Sequence, residues 1–337
     1  MKTGTFAGPG SGMRSRVSAV VYYAVMTVLF PLTLVGYVLW IGGATLNARR
    51  TGVSMTAQAP LAVRWTMHIL GLRDDPAAAG VFVIVPGIPR SARTIISIPM
   101  LLAFRVSRYV PRTYRYPFEG DVPRQLEAAA RVTFFDDVVE RFVPAIDQLV
   151  VLGAGFDTRP YRPPADADVE SYELDQPTTQ TVKVGLLRQA GVDLTHVRFV
   201  PADFQTDDWL AALVGAGFDV HRPAVFLWEG VTQYLTRDAV EDTLRKVSRS
   251  ASGSVIAFDY FTTEALTSAD LYWRFGRSSA AAAGEPLGFG VDAEPPVRER
   301  TAELLTSCGL SLLEQRTLGS DTAADRAWGG FAVAVVP

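Results

Sequence analysis

A strand that runs into a glycine turn constrains this chain more than any other feature. It reads Leu149-Val-Val-Leu-Gly-Ala-Gly-Phe-Asp-Thr-Arg159, and a second strand ending in an acid follows at Tyr172-Glu-Leu-Asp-Gln-Pro177. Gly153 and Gly155 let the backbone come close to a ligand. Asp175 follows Gly155 at about the 20-residue interval expected of an acid that binds ribose hydroxyls. The layout fits a nucleoside-containing cofactor on a doubly wound sheet.

A dinucleotide fingerprint needs a third glycine for close helix–strand packing under the pyrophosphate. Thr158 stands there instead, and Asp157 puts a negative charge where a pyrophosphate would lie. An acidic two-glycine turn suits a ligand without phosphate and with a positive centre, as S-adenosylmethionine is. A glycine turn alone is also compatible with an ordinary tight turn; the acid after the second strand is what shifts the balance. A nicotinamide-dependent oxidoreductase using the same turn is the competing enzyme class, and the missing glycine and Asp157 count against it.

Further motifs follow in order: Ala130-Arg-Val-Thr-Phe-Phe-Asp-Asp137, Pro201-Ala-Asp-Phe204 with Asp208-Trp209, Trp228-Glu-Gly-Val-Thr-Gln-Tyr-Leu235, and Gly284-Glu-Pro286 with Gly288-Phe-Gly290. With these, residues 125–336 resemble the leucine carboxyl methyltransferase-like group of class I S-adenosylmethionine-dependent methyltransferases, especially its bacterial members. The resemblance implies an α/β fold with a doubly wound, mostly parallel seven-stranded Rossmann-like sheet whose last strand is inserted antiparallel. It also implies that Arg131 pairs with the cofactor's carboxylate, Asp203 accepts from the adenine amino group, Phe204 walls the ring and Glu229 lies where methionine and substrate meet. Gly153, Gly155, Asp157 (facing the ammonium) and Asp175 complete the expected cofactor set. The bacterial pattern has a second arginine where this chain has Thr133, which leaves that arginine's role unfilled.

Displacement at an activated methyl asks the protein mainly to align nucleophile, carbon and sulfur. A carboxylate acceptor is already ionised at neutral pH, whereas a phenol must lose its proton. With no histidine at an obvious catalytic position, a carboxylate or acidic hydroxyl acceptor is favoured. Tyr234, Glu229 and Tyr260 are the catalytic candidates, with Asp259 also on the acceptor side. The expected function is O-methylation of a small, hydrophobic or lipid-like molecule of the kind found in bacterial secondary metabolism. The alternative is a membrane-attached, non-catalytic cofactor-binding or scaffold protein of methyltransferase descent, motivated by Thr133.

The amino-terminal part differs from the rest. Val17 to Leu46 contains no charged residue. As one helix it would be longer than the roughly 30 Å hydrocarbon core, so it reads as a transmembrane anchor. Tyr22, Tyr23, Tyr37 and Trp40 would sit near the interfaces. A signal peptide would have a shorter apolar run, and a buried helix of this length would show a polar face. Residues 1–130 hold 14 Lys/Arg against 5 Asp/Glu. Arginines interleaved with aromatics, from Arg105, Arg108 and Tyr109 through Arg112 and Tyr114 to Arg115 and Tyr116, suit anionic lipid beside an anchor better than nucleic acid. Three segments are expected: a disordered start and anchor at 1–47, a helical basic lid region at 48–123, and the methyltransferase domain at 124–337. The cofactor is made in the cytosol, so the catalytic domain is placed in the cytoplasm.

The single cysteine, Cys308, excludes an internal disulfide and a cysteine-based zinc site. His68, His196 and His221 are not spaced as ligands, so no metal is expected. Strands are predicted near 148–153, 169–174, 197–201, 223–229, 253–260, 310–316 and 329–336. Helices are predicted near 54–72, with Ser54 or Thr56 as cap, and near 124–142, 177–190, 206–216, 236–250 and 297–308.

Overall fold

The computed structural model describes residues 12–51, 58–87, 89–114, 122, 124, 127–162, 169–282 and 284–337. The glycine-rich start up to residue 11, the Ser54 or Thr56 cap, and Arg115 and Tyr116 lie outside the described residues.

Among the described residues the chain begins with the helices α1 (Gly12–Val28), α2 (Phe30–Thr51), α3 (Gln58–Ile69), α4 (Pro76–Ile84) and α5 (Arg90–Ser107). Next come α6 (Glu127–Phe142), β1 (Gln148–Leu152), β2 (Glu170–Asp175), α7 (Pro177–Gln189), β3 (Val197–Pro201), α8 (Trp209–Gly215) and β4 (Ala224–Trp228). The chain then forms α9 (Arg237–Val247), β5 (Val255–Phe261), α10 (Thr263–Thr267), α11 (Leu271–Ala282), α12 (Val297–Ser307), β6 (Ser311–Leu318) and β7 (Gly329–Val335).

The strands form one sheet in the order β3-β2-β1-β4-β5-β7-β6. The first five are parallel, and β7 runs antiparallel to both β5 and β6. Helices cover both faces, so β1 and β4 are apolar and buried at every position but one. The two-residue period of a strand divides them between two cores. Val150, Leu152, Phe226 and Trp228 pack on one side, and Leu149, Val151, Val225 and Leu227 on the other. Cys308 is buried in the first core, as its apolar character suggests.

The single spanning helix expected over 17–46 is not what forms. Its run divides into α1 and α2, bent by 61° between Val28 and Phe30. No single described helix is long and apolar enough to cross a membrane. The break has a local cause. Pro31 has no N–H to continue the ladder, and the N–H groups of Leu32 and Thr33 both turn to the Leu29 carbonyl. Both helices lie along α5. A Cβ on Gly36 would meet Ile96 at 2.7 Å and Ile95 at 2.9 Å, so only glycine permits this helix contact. Tyr22 packs against Tyr109 with the rings tilted by 56°, and Trp40 packs against the small core between α3, α4 and α7. These two aromatics are thus packing residues rather than interface anchors. Gly36→Val is expected to separate α2 from α5 and lower the melting temperature by several degrees, read by circular dichroism.

Candidate functional site

A cavity of about 650 Å³ opens at the carboxyl ends of β1, β2 and β4, where strand order reverses. Gly153 (φ 65°) and Gly155 (φ 41°) carry the chain out of β1 in the left-handed region that favours glycine. Asp175, at the end of β2, accepts from the N–H of Gly155 at 2.5 Å and of Gln176 at 2.7 Å. An ionised carboxylate offers about four lone-pair sites, so acceptor capacity remains for a ligand. Burial raises the Asp175 pKa against these two bonds. Asp203 also lines the cavity, its Oδ1 accepting from the Gln205 N–H at 2.9 Å. Phe204 closes the wall and packs near Trp209 and Trp228.

Glu229, at the end of β4, is the centre of a buried charge cluster. Its Oε2 accepts from Arg64 at 2.7 Å and from Arg159 at 2.5 Å. Burial alone would raise its pKa, but Arg64 and Arg159 outweigh that and hold it below the ordinary carboxyl range. Its Oε1 is buried without a hydrogen-bond partner. Asp157 was expected to face a ligand's ammonium; its Oδ2 pairs with Arg159 at 2.5 Å and with Arg64 at 3.2 Å, so its charge is already balanced within the protein. Arg159 is 1% exposed and also holds Asp136 at 2.8 Å and the Val132 carbonyl at 3.0 Å. Thr158, in the place of a third glycine, donates to Asp75 at 2.6 Å, and Asp75 in turn caps α4 through the Ala78 N–H and pairs with Arg73. Arg73 reaches Asp136 as well. The turn after β1 is thereby locked to helices that precede the sheet by many residues.

Arg131, on α6, lines the cavity and is held by Glu127 at 2.7 Å and Asp259 at 3.2 Å. Asp259 also accepts from the Gly230 N–H at 2.5 Å, and burial pushes its carboxyl up to about 6 despite the neighbouring Arg131. Gly230 is needed here: at φ 73° a Cβ would lie 2.7 Å from Arg131 Nη1.

The structure therefore gathers Arg131, Gly153, Gly155, Asp157, Asp175, Asp203, Phe204 and Glu229 around one cavity, with Tyr234 on its wall. Tyr260 does not join them. Its neighbour Asp259 faces the site, so the alternation of β5 turns Tyr260 to the opposite layer. There it is 1% exposed and its hydroxyl bonds Thr301 at 2.8 Å and Gln315 at 2.9 Å. Thr133 is buried within α6, bonding the Ala130 carbonyl at 2.9 Å, and is not among the cavity-lining residues. Arg64 is the residue that sequence reading missed. Its position three after Leu61 puts it on the apolar face of α3, and a lone arginine on such a face is the signal that marks it. Its Nε is buried without a partner. Arg64→Ala is expected to weaken binding of the nucleoside ligand by about tenfold or more, measured by calorimetric titration.

Beneath the turn, Glu173 on β2 pairs with Lys183 at 2.8 Å and accepts from the Tyr161 hydroxyl at 2.8 Å. Lys183 also reaches the Ala154 carbonyl at 3.4 Å. Burial pushes the Glu173 carboxyl from 4.5 up to about 7, with Lys183 pulling the other way. Because the folded value is the higher one, the unfolded chain loses this proton first as pH rises. The stabilising contribution is full below 4.5 and is lost as pH passes through about 7. The melting-temperature advantage of wild type over Glu173→Gln should accordingly shrink between about pH 5 and pH 8. An advantage that grows with pH over that window would contradict the assignment.

Residues 120–248 match the family model described as leucine carboxyl methyltransferase. A relative from Mycolicibacterium vanbaalenii, described as a candidate S-adenosyl-L-methionine-dependent methyltransferase, is 41% identical over 135 residues, covering 40% of this chain and 44% of that protein. One of the same description from Mycobacterium tuberculosis is 40% identical over 136 residues, again 40% and 44% of the two chains. The chain spans less than half the length of these curated relatives. The crystal structure of a DUF574 family protein from Streptomyces avermitilis shares 20% identity over 62% of this chain and 84% of that one, with a TM-score of 0.44. The resemblance drawn from the motifs is borne out over the matched segment. The relatives' descriptions carry the transferase class and the cofactor, S-adenosylmethionine, that the motifs lead one to expect.

Proposed function

We propose that this chain, whose residues 120–248 match the leucine carboxyl methyltransferase family, transfers the methyl group of S-adenosylmethionine to a carboxylate or hydroxyl oxygen of a small hydrophobic acceptor. The observation that carries the reading is the unpartnered Glu229 Oε1, buried in a cavity that arginines also line. A buried carboxylate oxygen without a donor is costly unless a ligand supplies one. An amino-acid ligand fits that need: an ammonium donates to Glu229 Oε1, and Arg131 and Arg64 lie on the same cavity to take a carboxylate. Asp175 accepts from ribose hydroxyls with its remaining lone pairs, and Phe204 offers an apolar face to a base.

When bound, S-adenosylmethionine supplies a methyl group activated by a sulfonium. The protein's part is alignment and exclusion of water. No histidine, lysine or cysteine lines the cavity among the described residues, so an acceptor that arrives ionised is favoured. Among the described residues Tyr234 is the one cavity-lining hydroxyl carried by an aromatic ring, which supports a role for it in orienting an acceptor oxygen.

The test is titration of the full chain with S-adenosylmethionine and, separately, with NADH, followed by incubation with methyl-labelled S-adenosylmethionine and a panel of apolar acids and phenols. Binding of the first ligand alone, with label in the organic phase, supports the reading. Alkali that releases labelled methanol marks an ester, and label that survives alkali marks an ether. Binding without transfer to any acceptor would favour a cofactor-binding scaffold, and binding of NADH alone would end the proposal.

A further inference from the structure

The long apolar run does not form one spanning helix, yet it leaves its outer surface bare. Val20, Val28, Phe30 and Val38 on α1 and α2 are 58–76% exposed, and Ile98, Leu102 and Val106 on α5, which packs against both helices, are 44–60% exposed. Most of the large exposed apolar side chains among the described residues belong to these three helices. Contiguous patches of this kind mark interaction sites.

The layer has a defined geometry. Tyr22 meets Tyr109, Gly36 meets Ile95 and Ile96, and Gly43 meets Pro89. As numbering rises along α1 and α2 it falls along α5, so the bent pair lies antiparallel on that helix. Charge is segregated to the ends of the layer. Arg16, Arg105, Arg108 and Arg112 are exposed at one end and Arg90 at the other. No Asp or Glu occurs from residue 1 to 73 or from 76 to 118. An apolar face with exposed arginines at both ends complements the interface of an anionic bilayer, where each arginine near the surface adds to the attraction.

The face also adjoins the cavity. Tyr37 on α2 lies near Tyr272 on α11. Leu271 and Phe275 of α11 are 78% and 68% exposed. The chain leaving α11 supplies Gly284 to Gly288 to the cavity wall. On the other side, Trp40 donates to Gln58 at 3.4 Å, two residues before Pro60 of the same wall.

We infer that the outer face of α1, α2 and α5 docks in the plane of an anionic lipid bilayer, without crossing it, and sets the cavity beside the lipid. The inference stands on the surface alone and does not need the cofactor reading.

The experiment is flotation of the full chain with preformed phosphatidylcholine vesicles, with and without one-third phosphatidylglycerol. Wild type is expected to float with the anionic vesicles and to bind neutral ones at least about tenfold more weakly. High salt should reduce that preference. The double variant V20E/V38E changes two exposed side chains, so its melting temperature should match wild type while vesicle binding is lost. Failure of wild type to float would overturn the inference, as would flotation of V20E/V38E at the wild-type level. A dimer in sedimentation that V20E/V38E dissociates, with no vesicle binding, would assign the face to a second copy of the chain and overturn it equally.

Discussion

Asp175→Ala is expected to lower S-adenosylmethionine affinity by about two to four orders of magnitude while leaving the circular dichroism spectrum unchanged. The carboxylate acts twice. It fixes the Gly155 and Gln176 N–H groups at 2.5 and 2.7 Å, which sets the turn, and it offers its remaining lone pairs to the ribose. Hydrogen bonds to a charged group contribute about 1.5–3 kcal/mol each, so losing two amounts to roughly 3–6 kcal/mol. Asp175→Asn keeps one acceptor oxygen and should fall between wild type and the alanine variant. Titration that returned wild-type affinity for Asp175→Ala would remove Asp175 from the site.

Arg159→Met should be the most destabilising single change in the cavity region. The guanidinium is 1% exposed and pairs with Asp157, Glu229 and Asp136 together. Breaking a buried pair costs about 3–5 kcal/mol because the partner charge is stranded. For a domain of this size that corresponds to roughly 10 °C in melting temperature. The loss should depend on pH in a defined direction. Burial would raise the Asp157 and Glu229 pKa values, and Arg159 with Arg64 depresses them. A depressed carboxyl contributes stability above its unfolded pKa and loses it as pH falls through the folded one. Without Arg159 that depression is relieved, so the gap between wild type and variant should narrow as pH falls from neutrality toward about 4. A gap independent of pH would mean that packing, and not charge, is what Arg159 provides.

Much of the sheet was legible in the sequence because its signals are local. The apolar run 149–152 with two glycines, and the acids ending the next strands, sit within a few residues of the features that give them meaning. Strand boundaries consequently agree with the structure to within two residues. The order of the strands, with β7 between β5 and β6, came from the family resemblance; pairing joins residues as far apart as Val255 and Val335 and leaves no local mark. Tyr260 shows the limit at short range. Adjacent residues of a strand face opposite layers, and neither Asp259 nor Tyr260 announces which core is which until helices cover the sheet.

By itself the sequence picked out the strand ends and the turn whose residues the structure gathers around one cavity, since each lies within a local motif. Only the tertiary structure decided how the charges among them are balanced. Arg64 is 165 residues from Glu229 yet 2.7 Å from its carboxylate, and Asp75 is 83 residues from Thr158. It also decided the fate of the apolar amino terminus, which composition alone reads as a straight span. There a missing N–H at Pro31 and a close approach at Gly36 bend it onto α5, because hydrogen-bond geometry and contact distance, unlike hydropathy, depend on what the chain packs against.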